Sequence, residues 1–148
     1  MGKNVALRKK LSALAIAAGI SATGIATVVP ANAASIPGGS QGFCGAQICL
    51  YYHSNIGGAM WAANDAEWKD LSGQTFNRQG PLGNGGDGYG LSIRNNAASV
   101  ANGGYQTVYV YVYRAVDGWG PYDSVGAGGY GNLVATANNE ASYSIYNH

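Results

Sequence analysis

The chain has 148 residues, of which 47% are hydrophobic and 10% charged, and its formal net charge is +1. Four of its eight basic residues lie within the first ten positions, so the rest of the chain holds four basic residues against seven acidic ones. A sparsely charged, mildly acidic protein has no electrostatic footprint for nucleic acid or for anionic lipid, and we exclude both as partners.

The N-terminus has the layout of a secretory signal peptide. Lys3 and the basic run 8–10 precede an apolar stretch over 11–29, after which an Ala-Asn-Ala triplet supplies a small-residue cleavage site. A membrane anchor is the alternative, and it is disfavoured because glycine, serine and threonine dilute the apolar stretch. We therefore expect a signal peptide over 1–33, a flexible linker over 34–42, and a secreted, extracellular protein that is free of the membrane after cleavage.

Cys44 and Cys49 are the only two cysteines of the chain. In an exported protein they enter an oxidising compartment, which predicts a disulfide between them. Closing so short a loop removes about 2 kcal/mol of unfolded-state entropy, and the bridge would fix the entry into the first strand. A zinc site needs more ligands than these two cysteines and the distant His53 and His148 supply.

The predicted elements beyond the disulfide are mostly short strands. Residues 48–52 form the first, and residues 107–113 the clearest, because valine and tyrosine alternate there with a period of two. Between them, Asn64 followed by Glu67 has the spacing of a capping box and predicts one or two helical turns. Residues 79–90 are dense in glycine and predict a surface loop. Further short apolar runs lie at 91–93, 133–135 and 142–146.

Two short patterns each occur twice and in the same order. The first is an aromatic residue followed seven positions later by glycine: Tyr51 and Gly58, then Tyr113 and Gly120. The second is Asn-Asn-x-x-Ser, at 95–99 and again at 138–142. The first pattern repeats after 62 positions and the second after 43, so the first copy carries about 19 extra residues, which include the glycine-rich loop. These repeats predict a duplicated structural unit.

The paired repeats resemble the two Greek-key motifs of a βγ-crystallin domain. The resemblance implies an all-β, βγ-crystallin-like sandwich, with a single domain over 43–148. Its first Greek key would span about 43–103, including loop 79–90, and its second about 104–148. The opening Cys-x4-Cys-Leu-Tyr-Tyr segment also resembles the secreted bacterial peptidase (metalloproteinase) inhibitors that share this fold.

In βγ-crystallin domains the asparagine-rich motif builds paired calcium sites. The resemblance implies a side-chain oxygen from the second asparagine, a backbone carbonyl from the third residue and a hydroxyl from the serine, which serves the opposite site. The candidate calcium ligands are therefore Asn96, Ala97, Ser99, Asn139, Glu140 and Ser142. Val100 and Tyr143 replace the family's final serine, and neutral asparagines lower the ligand charge, so we expect affinities no tighter than about 10⁻⁴ to 10⁻³ M. Turn formation by the same asparagine and serine side chains is an equal alternative.

No pattern in the sequence marks a catalytic pair or an activated nucleophile, and we predict that the protein is not an enzyme. We interpret its clustered carboxylates as solvated surface charges: Asp65, Glu67, Asp70, Asp117 and Asp123.

The leading hypothesis for the function is inhibition of an extracellular peptidase. The inhibitory segment is expected within 44–58, where a disulfide and a hairpin restrict the chain. The alternative is a calcium-binding or cell-wall polysaccharide-binding module of antimicrobial type. Its ligand would contact an aromatic face formed by outward tyrosines of the 107–113 strand. The fold alone cannot decide between these functions.

Overall fold

The computed structural model describes residues 33–38, 44–64 and 67–148, so nearly all of the predicted signal peptide lies outside the described residues. The described chain contains nine strands and one short 3-10 helix. The strands are β1 (Ala34–Ile36), β2 (Ile48–His53), β3 (Gly57–Ala63), β4 (Trp68–Asp70), β5 (Ser99–Ala101), β6 (Val108–Tyr111), β7 (Tyr122–Val125), β8 (Tyr130–Asn132) and β9 (Ser142–Ser144), and the helix is Ala115–Asp117. Within this described part, no helix has the length and apolar character needed to cross a membrane.

The strands form two sheets, in the orders β1-β7-β6-β9-β4 and β3-β2-β5-β8. Strands β2 to β5 belong to the first sequence copy and β6 to β9 to the second. In each copy the fourth strand returns to lie beside the first, which is the Greek-key arrangement. The third strand of each copy crosses to the sheet of the other, so β4 pairs with β9 and β8 with β5. The predicted all-β sandwich is confirmed, and the exchanged strands interlock its two halves.

The core lies between the sheets and follows the period-two alternation of the strands. Ile48 and Leu50 of β2 and Val108 and Val110 of β6 are fully buried in one apolar cluster, to which Tyr143 also belongs. The intervening side chains project to the outer faces. These outer faces are covered as well, by the disulfide segment on one sheet and by aromatic rings on the other.

Strand pairing corrects the alignment of the two copies. Tyr51 lies opposite Ser99, whereas the residue opposite Ser142 is Tyr111. Both tyrosines are fully buried, while Tyr113 is half exposed. The prediction that Tyr51 and Tyr113 are equivalent is therefore wrong by two residues, because the counterpart of Tyr51 is Tyr111.

The structural counterpart of Tyr113 is His53, and the hairpins after these two residues differ in length. Five positions separate His53 from Gly58, whereas seven separate Tyr113 from Gly120, and the 3-10 turn occupies the longer hairpin. The ring of Tyr113 lies against Gly120, where a Cβ atom would be 2.3 Å from Cδ2. Glycine is required there because its φ is +75° and the ring leaves no room for a side chain.

The predicted helical turns after Asn64 are wrong. Trp68–Asp70 form strand β4, which pairs antiparallel with β9. The Asn64 side chain does cap a backbone group, but that group is the Gln47 N–H, 3.1 Å away. A capping signal on so short a segment is weak, because nucleating a helix is unfavourable and sheet pairing provides the hydrogen bonds instead.

The prediction of a flexible linker over 34–42 is wrong at its start. Ala34–Ile36 form β1, the edge strand of the five-stranded sheet, which pairs in parallel with β7. Ile36 enters the core cluster, so both hydrogen bonding and apolar burial hold this segment. Residues 39–43 lie outside the described residues, whereas residues 79–90 form a series of turns whose side chains are mostly exposed.

Candidate functional site

The two asparagine-rich motifs contact each other across the sandwich. The Asn95 N–H donates to the Glu140 carbonyl at 3.1 Å, and the Asn138 N–H donates to the Ala97 carbonyl at 2.8 Å. This reciprocal pair joins the two Greek keys. Each of the two predicted carbonyl ligands thus accepts one internal hydrogen bond and retains one lone pair.

The predicted serine ligands hold the hairpins of their own copies. The Ser99 Oγ donates to the His53 carbonyl at 2.6 Å and accepts a hydrogen bond from the Ile56 N–H at 3.0 Å. The Ser142 Oγ donates to the Tyr113 carbonyl, also at 2.6 Å. These contacts account for both serines structurally, and their contribution to a calcium site stays a prediction.

The predicted asparagine ligands lie in different surroundings. Asn96 lines a cleft of about 330 Å³ together with Asn138, Ser54 and the segment around Tyr52. Its side-chain amide donates to two nearby backbone carbonyls. Asn139 is exposed and is not among the residues that line this cleft. The cleft is thus lined by the second asparagine of the first motif, Asn96, and by the first asparagine of the second motif, Asn138.

The side chain of Glu140 plays a part that the sequence analysis missed, because only its backbone carbonyl was considered. The carboxylate is fully buried, and its Oε1 accepts hydrogen bonds from the Asn96 N–H at 3.0 Å and the Ala97 N–H at 2.8 Å. Its Oε2 is buried without a hydrogen-bond partner. Burial raises the pKa of Glu140 to about 7, against the opposing effect of the backbone N–H groups.

Asp123 is another residue whose surroundings differ from the prediction. It is fully buried, so its interpretation as a solvated surface charge is wrong. Its two oxygens accept hydrogen bonds from the N–H groups of Val134, Ala135 and Thr136 and from the Thr136 hydroxyl, at 2.7–3.1 Å. The carboxylate therefore fixes the loop after β8 to strand β7.

The disulfide between Cys44 and Cys49 is present, as predicted. It holds the segment before β2 against the outer face of the four-stranded sheet, where Cys44 and Ala46 pack with the buried side chains of Tyr51 and Ile56. The bridge thus orders one end of the sandwich.

Beside the disulfide segment runs the connection between the two Greek keys, which we name the connecting loop (residues 102–107). Its first residue, Asn102, is fully buried. The Asn102 amide donates to the carbonyls of Gln106, Val125 and Gly126 at 2.7, 2.9 and 3.2 Å, and its Oδ1 accepts a hydrogen bond from the Gly104 N–H at 2.9 Å. One side chain therefore fixes both ends of the loop.

A second set of contacts joins the connecting loop to the disulfide segment. The Gly103 N–H donates to the Ala46 carbonyl at 3.1 Å. A Cβ atom at Gly103 would lie 2.1 Å from the Cys44 carbonyl oxygen, so the close approach requires glycine. Tyr105 lies at the tip of the loop and is fully exposed. Between the loop, the disulfide segment and Asn64 lies a cavity of about 480 Å³.

The predicted aromatic face lies on the outer side of the five-stranded sheet, but its rings pack mainly on one another. The rings of this aromatic cluster are Trp68, Tyr109, Tyr111, Trp119, Tyr122 and His148. The rings of Trp119 and His148 stack in parallel with centroids 4.1 Å apart. The Tyr111 hydroxyl donates to the Tyr146 carbonyl and accepts from the His148 N–H. Much of this face therefore anchors the C-terminus.

The fold and these contacts define a small, disulfide-bridged double Greek-key sandwich of βγ-crystallin type, which presents ordered loops beside its disulfide. The family model described as peptidase inhibitor family I36 matches residues 44–125, more than half of the chain, and the chain belongs to this family. Comparisons with curated proteins and with solved structures found no match. The matched region includes the disulfide and the connecting loop, and it confirms the resemblance to peptidase inhibitors.

Proposed function

We propose that the protein is a secreted, non-catalytic inhibitor of an extracellular peptidase. The observation that carries the proposal is the ordered end of the sandwich, where the disulfide segment and the connecting loop lie side by side. Membership of an inhibitor family supports the general activity. The signal-like N-terminus and the disulfide support secretion.

Tight inhibition requires a segment that is ordered before it binds. Each rotamer-rich side chain that becomes fixed on binding costs about 0.5–1.5 kcal/mol, so a loop that is already fixed retains more of its contact energy as affinity. The disulfide and the Asn102 hydrogen bonds provide such order. Loop 79–90 is held by several turn hydrogen bonds of its own, but its exposed glycines make it the weaker candidate.

The test is a titration of secreted peptidases with the protein purified from culture medium. The panel contains a thermolysin-type metallopeptidase, subtilisin, chymotrypsin and trypsin. We expect stoichiometric inhibition of at least one of them at micromolar protein or below. No inhibition of any member, combined with retention on chitin or peptidoglycan, would favour the polysaccharide-binding alternative.

We infer weak calcium binding as a second property, because the 330 Å³ cleft brings amide side chains from both motif copies together. Asn96 and Asn138 line it together with Ser54, and neutral oxygen ligands of this kind suit Ca²⁺ at low affinity.

At ten times the dissociation constant, a ligand of the folded state stabilises it by about 1.4 kcal/mol. We therefore expect 10 mM calcium to raise the thermal midpoint by several degrees relative to chelator, whereas magnesium at the same concentration is the control. An equal midpoint in calcium, magnesium and chelator would exclude the site.

A further inference from the structure

The connecting loop has the properties of a segment that inserts into a peptidase active site. Its tip, Tyr105, is fully exposed, whereas its base is fixed by a fully buried asparagine. Aromatic side chains are typical anchors of protein interfaces. An ordered base with a protruding aromatic tip is therefore a feature that an interface would use.

The charge of the residues around the connecting loop indicates which type of peptidase specificity pocket the loop fits. The described residues that line the adjoining cavity are all neutral: Gly45, Ala46, Gln47, Asn64, Gly103, Gly104, Tyr105 and Gln106. A peptidase with an acidic specificity pocket selects a cationic side chain, which this set does not supply. A deep apolar pocket, in contrast, accepts a tyrosine ring and excludes water from it.

The residues that line this cavity also argue against inhibition by direct chelation of a catalytic metal. Histidine, free cysteine and carboxylate are the side chains that bind zinc, and the cavity-lining residues above include none of them. Cys44, which precedes Gly45 in the chain, is held in the disulfide. Recognition at this end therefore relies on shape, apolar contact and backbone hydrogen bonds.

We propose that Tyr105 is the specificity residue of this inhibitor, and that its targets are peptidases that select large apolar or aromatic side chains. This inference rests on the proposed inhibitory function. It places the binding segment in the connecting loop, which packs against the disulfide but lies outside the 44–58 segment that the sequence indicated.

The test is the inhibition constant of Tyr105 variants against the peptidases that the protein inhibits. We expect Tyr105→Phe to match the wild type and Tyr105→Ala to weaken inhibition at least 30-fold. Tyr105→Lys should lose activity against apolar-specific enzymes and gain activity against trypsin. Because the side chain is fully exposed, all three variants should keep the wild-type thermal midpoint.

Two exposed residues elsewhere provide matched controls. Tyr89, 60% exposed, lies in the glycine-rich loop, and Val116, 78% exposed, lies in the second hairpin at the other end of β6. Their alanine variants should inhibit like the wild type. Inhibition unchanged in Tyr105→Ala, or lost in Val116→Ala instead, would overturn the assignment of Tyr105 while the inhibitory function stands. A wild-type protein that inhibits no peptidase would overturn both.

A second variant separates the order of the loop from the chemistry of its tip. Gly103→Ala places a methyl group against the Cys44 carbonyl and should move the loop, so we expect weaker inhibition although Tyr105 is intact. Gly83→Ala, in the glycine-rich loop and outside the cavity, meets no atom within 4 Å and is the control. Equal inhibition by the two variants would show that the position of the connecting loop does not affect inhibition, which would contradict the proposal.

Discussion

Replacing Asp123 with alanine should destabilise the protein by about 3–5 kcal/mol, because breaking a fully buried charged hydrogen-bond network has costs of this size. The substitution removes the acceptor of three backbone N–H groups and one hydroxyl in the loop after β8. The loop connects β8, which lies in one sheet, to β9, which lies in the other. Denaturant unfolding, followed by tryptophan fluorescence, measures the change in free energy.

Asp87→Ala is the matched control, because it also removes one aspartate. Its side chain is 63% exposed and lies 3.5 Å from His53, and an exposed pair of this kind contributes at most about 1 kcal/mol. If Asp123→Ala does not fold, Thr136→Val still tests the network, because it removes one hydrogen bond of 2.7 Å and leaves the others in place. We expect Thr136→Val to lose about 1–2 kcal/mol. A loss below about 0.5 kcal/mol in either Asp123→Ala or Thr136→Val would contradict the role of this network.

The features that could be predicted from the sequence are those encoded locally or by repetition. The valine–tyrosine alternation of β6 has the period of a strand, and two motifs repeated in order identify two equivalent units. The disulfide followed from compartment and cysteine number. In each case, neighbouring residues and a general rule were sufficient.

The features that were missed depend on distant partners. Strand β4 has only three residues and exists because β9 pairs with it, whereas the local capping signal at Asn64 favoured a helix. The hairpin register was ambiguous in the sequence for two reasons. Positions 51 and 52 are both tyrosine, and the residue equivalent to Tyr113 is a histidine, His53.

The same reason explains why the candidate inhibitory loop was missed. Its glycine-containing sequence is typical of a flexible connection. The order comes from the Asn102 side chain, which reaches carbonyls of β7 and of the residue after it, more than twenty positions along the chain. A lone asparagine before a glycine pair carries no signal of such partners.

The stability of the protein should fall as the pH rises from about 4.5 to about 7, because of Glu140. Its pKa is raised from 4.5 to about 7 in the folded state, so the folded protein binds more protons than the unfolded chain in this interval. The contribution of Glu140 is therefore complete below pH 4.5 and is lost by about pH 7, and it amounts to roughly 2–4 kcal/mol. Unfolding free energies measured across this range provide the test.

Glu140→Gln isolates this contribution, because the glutamine carbonyl can accept the two hydrogen bonds that Oε1 accepts now, without a charge that titrates. Relative to the wild type, the variant should gain stability as the pH rises and should be the more stable protein at pH 8. Glu67→Gln removes an exposed carboxylate and should follow the wild-type profile. Parallel profiles for the wild type and Glu140→Gln would show that the buried carboxyl titrates normally. The contact between the two Greek keys would then be insensitive to its charge.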